Sequence, residues 1–172
     1  GALMTRNAEL ADRIRKVANH GQSIQYHHDE IGVNSRLDSM QAVVLRAKLP
    51  HLDRYNRTRA AAAATYNRLL GASPWLSVPQ TADYSTHVFH QYTIKVQGDR
   101  DSFASKLTDL GVGSGVYYPI PVHELPAFGK KNNLPNTSLI CKQVLSLPVH
   151  PALSKRDLKK IAAAVNKASH VS

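Results

Sequence analysis

Cysteine is scarce in this sequence, and its scarcity excludes several kinds of site. Cys141 is the only cysteine among 172 residues, so the chain can form neither an internal disulfide nor a zinc site with several thiolate ligands. Its neighbours, LICKQVL, are largely apolar, which is typical of a packed thiol rather than a nucleophile. A single thiol also fits a reducing compartment, and we expect the protein to be cytoplasmic.

Long apolar runs and self-sufficient catalytic motifs are missing as well. No apolar stretch approaches the ~18 residues of a transmembrane helix, so no membrane partner is expected. The opening residues, GALMTRNAEL, lack the basic and apolar regions of a signal peptide. The sequence contains no HExxH, GxSxG, GxGxxG or P-loop motif. Nine histidines are present, but none falls at the spacing of metal ligands, and we predict no metal site.

Acidic residues are few: 12 Asp and Glu face 22 Lys and Arg, which gives a net charge of +10. The basic residues are densest on two predicted helices, as Lys155, Arg156, Lys159 and Lys160 and as Arg54, Arg57 and Arg59. One aromatic residue, Tyr55, falls among them, which is fewer than the stacking platforms of a nucleic-acid surface would require. The pattern favours solvated helix faces. There are two alternatives: the chain is a nucleic-acid-binding domain, or an acidic segment outside this sequence balances the charge.

The first seventy residues predict a strand followed by three helices. Residues 1–5 resemble a short strand, and Asn7 caps a helix over 8–18 that ends near Gly21. Residues 22–33 are polar and predict irregular structure. Ser35 and Asp38 form a capping-box pattern for a second helix, with Leu37, Met40, Val44 and Ala47 on one stripe. Pro50 should end that helix, and a third should run from 51 to Gly71.

The remaining sequence predicts a sheet flanked by helices. Residues 87–96 alternate with a period of two and indicate a strand, a helix follows over 102–110, and 112–118 indicate a second strand. A strand, helix and strand in this order form a crossover unit. Further helices are predicted over 137–144 and after Ser154, where Leu158, Ile161 and Val165 face inward. The fold class is therefore α/β or α+β, with a mixed or antiparallel sheet.

Two loops carry more polar chemistry than a turn requires. Residues 32–36, GVNSR, place Asn34 and Arg36 just before a helix start. An Asx turn would explain this composition, but an amide, a guanidinium fork and free helix N–H groups would also form an anion site. Residues 115–123, GVYYPIPVH, follow a predicted strand. They indicate either a proline-stiffened turn with packed tyrosines or a second part of a binding site.

Three segments together resemble the C-terminal part of the DegT/DnrJ/StrS-type sugar aminotransferases, which are fold-type-I enzymes that depend on pyridoxal phosphate (PLP). The segments are IGVNSRLDSMQAVVLRAKL, GVGSGVYYPIPVHELPAF and LSLPVHPAL. The resemblance covers essentially the whole chain and implies three parts. Residues 1–34 would be a remnant of the large PLP-binding domain, 35–71 interdomain helices and 72–172 the small C-terminal domain.

The resemblance also implies a function and site residues. The complete enzyme would transfer an amino group, with glutamate as donor, to a nucleotide-linked keto-sugar, and the VNSR and YPIP motifs are closest to members that act on UDP-linked 3-keto hexuronic acids. Asn34 would reach the PLP phosphate of the neighbouring subunit in a homodimer. Arg36, Tyr117, Tyr118 and His123 would contact substrate, although the family usually has His-Tyr-Pro where this chain has Tyr117-Tyr118-Pro119. The lysine that binds PLP would precede Gly1, so this chain alone would be inactive; a non-catalytic module of the same fold is the alternative.

Overall fold

The computed structural model describes residues 1–128 and 133–169, and the chain divides into two compact units, Gly1–Pro50 and His51–Ser172. We call them the N-terminal and the C-terminal unit. No helix in the described ranges has the length and apolar character that are needed to cross a bilayer.

The N-terminal unit begins with the helix that the sequence predicts, α1 (Ala8–Ala18). Asn7 caps it, because its side-chain oxygen accepts a hydrogen bond from the backbone N–H of Leu10 at 3.0 Å. Gly21 follows with φ of +74°, and its N–H donates to the Lys16 carbonyl at 2.8 Å. A Cβ on Gly32 would lie 2.1 Å from the Gly21 nitrogen. Gly32 therefore permits a close approach between two backbone segments of this unit.

Two predictions about strands and loops in this unit are wrong. Residues 1–5 form no strand; Leu3 and Met4 are exposed, and none of the described segments pairs with them to supply ladder hydrogen bonds. Residues 22–33 are not wholly irregular, because β1 (Gln22–Ile24) and β2 (His27–His28) form an antiparallel hairpin.

The second helix starts later than the sequence predicts. Helix α2 (Ser39–Lys48) is capped by Asp38, whose carboxylate accepts from the Gln41 N–H at 2.8 Å. Ser35 is not the cap, because its own N–H donates to the Ala18 carbonyl at 2.9 Å and holds it in an extended segment. Met40, Val44 and Ala47 of the predicted apolar stripe lie on α2, whereas Leu37 precedes the helix, and no α2 residue is buried within the described structure.

A proline break separates the two long helices, as predicted. Pro50 lies in a 3₁₀ turn (Leu49–His51), after which α3 (Leu52–Leu70) begins. Gly71 ends α3 and donates its N–H to the Asn67 carbonyl at 2.9 Å. Helix α3 buries Ala62, Ala63, Tyr66 and Leu70 in the C-terminal unit.

The C-terminal unit contains an antiparallel sheet in the order β3 (Leu76–Ser77), β4 (Tyr92–Val96) and β5 (Val144–Leu147). Only the second half of the predicted strand 87–96 is a strand, because Phe89 takes a φ of +49° and its N–H donates to His87 Nδ1 at 2.9 Å. The predicted strand 112–118 is reduced to one antiparallel bridge between Gly115 and Ser146. The predicted crossover is therefore absent from the described sheet, and the antiparallel alternative is confirmed.

Three further helices complete this unit: α4 (Arg100–Asp109), α5 (Pro135–Gln143) and α6 (Lys155–Ser169). Ser154 and Asp157 form a reciprocal capping box at the start of α6, with backbone-to-side-chain distances of 3.1 Å in both directions. Helix α6 packs on α3 and α4. The core is formed by apolar side chains from these helices and the sheet: Tyr66, Leu70, Tyr92, Ile94, Leu107, Leu145, Leu147, Leu158, Ile161 and Val165.

Candidate functional site

The segment that carries Asn34 lies along the C-terminal end of α1. The His20 N–H donates to the Val33 carbonyl at 3.0 Å, and Asn34 forms an antiparallel bridge with Asn19. Together with the bond from Ser35 to Ala18, these contacts fix the backbone of residues 33–35. The conformation of the loop is thus set by contacts within the chain.

Arg36 is held by neutral groups only. Its Nε donates to Asn34 Oδ1 at 3.3 Å, and its Nη1 donates to Asn19 Oδ1 at 3.4 Å. Among the described residues no carboxylate lies within 4.0 Å of the guanidinium, whereas Arg13 pairs with Glu30 at 3.2 Å. The positive charge of Arg36 is therefore not neutralised within the described chain, although amide dipoles orient the side chain.

A second ion pair in the same unit strengthens this contrast. Lys16 Nζ lies 3.4 Å from Asp29 Oδ2. A hydrogen bond from Ser23, together with Lys16, lowers the pKa of Asp29, so this carboxylate stays ionised next to its partner.

Asn34 and Arg36 together present donors to solvent. The Asn34 oxygen is engaged by Arg36, which leaves the side-chain NH₂ facing away from it, and none of the described groups accepts from that NH₂. An amide NH₂ beside an unpaired guanidinium suits a phosphate or a carboxylate. Sequence reasoning missed Asn19, the third member of this cluster. Its position as the C-cap of α1 was the available signal.

The other predicted site residues lie in the C-terminal unit. Tyr117 and Tyr118 are half or more exposed, and their rings meet edge to face with centroids 6.2 Å apart. His123 lies in a 3₁₀ turn (Val122–Glu124), where its Nε2 is 3.6 Å from Glu124 Oε1. The structure thus brings the two tyrosines together, and separately Asn34 and Arg36. In the described chain no hydrogen bond or ring contact joins His123 to either tyrosine.

A cleft of about 410 Å³ lies beside Tyr117. The sequence singled out the loop 115–123 that contains Tyr117 but not the cleft itself, because the lining comes from separate segments: His90, Gln91, Ser114, Tyr117, Ser146 and Val149 are among the residues that line it. Arg59 joins two of these segments, since its Nη1 donates to the Val149 carbonyl at 2.7 Å and to the His90 carbonyl at 3.4 Å. Our interpretation of Arg59 as part of a solvated helix face is therefore wrong.

The described residues contain no group of three or more His, Cys, Asp or Glu side chains that could hold a metal ion.

Comparison with known proteins gives the family context. The sequence profile of the DegT/DnrJ/EryC1/StrS aminotransferase family matches residues 1–166. UDP-N-acetyl-3-dehydro-alpha-D-glucosamine 3-aminotransferase of Acidithiobacillus ferrooxidans is 40% identical over 173 residues, which cover 99% of this chain and 46% of that protein. UDP-2-acetamido-2-deoxy-3-oxo-D-glucuronate aminotransferase of Pseudomonas aeruginosa is 39% identical over 166 residues, 96% of this chain and 46% of that protein. The chain thus spans about half the length of these relatives.

Solved structures confirm the fold. Streptomyces venezuelae DesV in complex with a ketimine intermediate superposes with a TM-score of 0.91 at 38% identity, over 98% of this chain and 47% of DesV. Bacillus subtilis NtdA, which was solved with bound cofactor PMP, superposes with a TM-score of 0.85 at 27% identity, over 97% of this chain and 41% of NtdA. Because the family profile covers nearly all of the sequence and the fold agrees, this chain belongs to the DegT/DnrJ/EryC1/StrS aminotransferase family.

Proposed function

We propose that the complete protein is a PLP-dependent aminotransferase that acts on a nucleotide-linked keto-sugar, with glutamate as amino donor. The observation that carries the proposal is the guanidinium of Arg36, which is oriented by two amide oxygens and has no carboxylate partner in the described chain. Family membership supplies the reaction class. In this proposal residues 1–34 belong to the large domain, 35–71 are interdomain helices and 72–172 form the small domain.

The residues present fit one part of a PLP site, the phosphate group. Asn34 offers a side-chain NH₂ that none of the described groups uses, and residue 34 is fixed by its bridge to Asn19. We assign Asn34 to the cofactor phosphate of the neighbouring subunit in a homodimer. When bound, PLP supplies an electron sink for removal of the proton from the carbon that carries the amine. The proposal places no PLP-binding lysine among these 172 residues.

Arg36 is assigned to a carboxylate. A planar guanidinium presents two parallel N–H groups, and this fork matches the two oxygens of a carboxylate. Two such ligands fit the proposed reaction: the uronate group of a UDP-linked 3-keto hexuronic acid and a carboxylate of glutamate. The relative from Pseudomonas aeruginosa, which is named for a glucuronate substrate, supports the first. Tyr117, Tyr118 and His123 are assigned to the sugar substrate.

The test compares Arg36→Lys and Arg36→Ala in the full-length protein with two ketones, a UDP-linked 3-keto hexuronic acid and its uncharged 3-keto hexose counterpart. We expect both variants to raise the transition-state free energy for the uronate by on the order of 2–5 kcal/mol. Lysine should restore little of this loss, because a point charge cannot replace the fork. The uncharged counterpart should react nearly as before.

Arg13→Ala is the matched control, since Arg13 already pairs with Glu30. An equal loss with both ketones would assign Arg36 to glutamate instead of the uronate. Unchanged kinetics in both Arg36 variants would remove Arg36 from the site. If the unaltered full-length protein transfers no amino group, the aminotransferase proposal itself fails, and a non-catalytic module of the same fold is the better description.

A further inference from the structure

We propose that Gly115 is a positioning residue: because it has no side chain, the Tyr117 ring packs directly against it and forms one wall of the cleft. This wall shapes the cleft for the uncharged ring of the sugar substrate. The assignment of a sugar rests on the function proposed above. The packing of glycine against tyrosine is independent of that function and can be tested separately.

The contact between the two residues leaves no room for a side chain at position 115. A Cβ on Gly115 would lie 2.7 Å from Tyr117 Cε2, 2.9 Å from its hydroxyl oxygen and 3.0 Å from Cζ. The φ of Gly115 is not among the positive values of this chain, so the backbone conformation would accept any residue. Glycine is therefore needed at position 115 only because the Tyr117 ring occupies the space that a side chain would fill.

The backbone at Gly115 cannot easily move away from the ring. Its N–H donates to the Ser146 carbonyl at 3.0 Å, and the Ser146 N–H donates back to the Gly115 carbonyl at 2.7 Å. Ser146 lies in β5, which is buried along its whole length. Tyr117, by contrast, is 50% exposed. A methyl group at position 115 would therefore displace the ring and leave the sheet intact.

The chemistry of the cleft indicates what the wall faces. None of the described residues that line it is Asp, Glu, Lys or Arg. Ser114 and Gln91 bring uncharged donors and acceptors, and Tyr117 brings a flat ring with a hydroxyl group. Uncharged hydrogen-bonding groups beside an aromatic surface suit a hydroxyl-bearing sugar ring better than the charged glutamate donor.

The first measurement follows the ring itself. The full-length protein is labelled with fluorotyrosine, and the ¹⁹F resonance of Tyr117 is assigned by its loss in Tyr117→Phe. We expect Gly115→Ala to shift this resonance and to leave the other tyrosine signals in place, except that of Tyr118, whose ring meets the Tyr117 ring. Gly113→Ala is the matched control, because a Cβ on Gly113, two residues earlier on the same cleft, meets no described atom within 4 Å. It should leave the Tyr117 resonance unmoved.

The second measurement follows the substrate. Gly115→Ala should raise KM for the keto-sugar roughly tenfold, the scale of one lost aromatic contact, while kcat and KM for glutamate change little. In a Tyr117→Ala background the ring is already absent, so adding Gly115→Ala should have no further effect on KM. Tyr117→Phe retains the ring atoms that crowd position 115, and in that background the full effect of Gly115→Ala should return.

An unmoved Tyr117 resonance in Gly115→Ala would overturn the positioning role. A moved resonance with unchanged KM for the keto-sugar would show that the ring is no wall of the sugar site. Equal increases in KM for the keto-sugar and glutamate would overturn the assignment to the sugar. Absence of any turnover in the unaltered protein would instead refute the proposed function, and the ¹⁹F comparison would still test the packing.

Discussion

At the scale of single residues, two buried tyrosines carry the clearest titration effect. The rings of Tyr66 and Tyr92 lie 4.9 Å apart between centroids. The Tyr66 hydroxyl donates to the Pro148 carbonyl at 2.9 Å, and the Tyr92 hydroxyl donates to Asn67 Oδ1 at 2.6 Å. Burial raises the pKa of both phenols, and Tyr66 raises that of Tyr92 further. Their contribution to stability is complete below about pH 10, where an unfolded tyrosine ionises, and is lost as the pH rises beyond it.

Tyr66→Phe should therefore lower the free energy of unfolding relative to the parent protein by an amount that depends on pH. Near neutrality the variant loses the bond to Pro148, and we expect its free energy of unfolding to fall by about 1 kcal/mol. Above about pH 10 the parent loses stability because Tyr66 ionises when the protein unfolds, and the variant lacks this phenol. The difference in free energy of unfolding between variant and parent should therefore narrow by up to ~1.4 kcal/mol per pH unit. Urea unfolding followed by Trp75 fluorescence measures both. Tyr84→Phe, at a residue that is 94% exposed, is the control. A difference that stays constant with pH would contradict this account.

At the scale of helices, equivalent caps stand in very different surroundings. Asn7 caps α1, which contains no buried residue within the described structure, whereas Ser154 caps α6, whose inner face lies in the core. A cap stabilises the whole fold only when its helix is part of the cooperative unit. The two caps therefore report on the two units separately.

Ser154→Ala should lower the free energy of unfolding of the C-terminal unit by about 1 kcal/mol, because α6 loses its capping bond. Asn7→Ala should leave that transition unchanged, since α1 belongs to the N-terminal unit. Trp75 is the only tryptophan and lies in the C-terminal unit, so its fluorescence isolates the relevant transition. Equal shifts of the urea midpoint in the two variants would show that the units unfold together.

The elements that the sequence predicts well are those with local determinants. Asn7, Pro50, Gly71 and Ser154 mark helix ends through contacts a few residues away, and α1, α3 and α6 follow closely from them. Strands depend on partners far along the chain, so the predictions for residues 1–5 and 112–118 were wrong. In the candidate site, the contact of Arg36 with Asn34 is local and could be anticipated. The cleft beside Tyr117 depends on distant segments that only the fold brings together.

At the scale of the whole molecule, α2 is an unusual surface. Its Met40, Val43, Val44 and Leu45 are between 55% and 83% exposed. Contiguous apolar side chains on a helix face normally mark a surface that another molecule or segment covers. A chain of 172 residues that leaves this face open should associate through it in solution.

We expect the 172-residue chain to sediment as a concentration-dependent mixture of monomer and larger species. Met40→Gln combined with Val44→Gln places two amides on one face of α2, one turn apart, and should shift this mixture toward monomer with unchanged circular dichroism. Tyr84→Gln removes an even more exposed aromatic group outside α2 and should leave the association unaltered. A parent chain that sediments as a single monomer at all concentrations would contradict the expectation.

The double hydrogen bond of Arg59 has a consequence for the kinetics of ligand binding. One guanidinium on α3 ties the carbonyls of His90 and Val149, so two walls of the cleft are fixed relative to a helix that is anchored in the core. The spacing of these walls is set when the protein folds and not when a ligand arrives. Such preorganisation reduces the ordering entropy that binding must overcome. Encounter at this cleft should then resemble docking into a rigid receptor, with backbone shifts of about 1 Å or less.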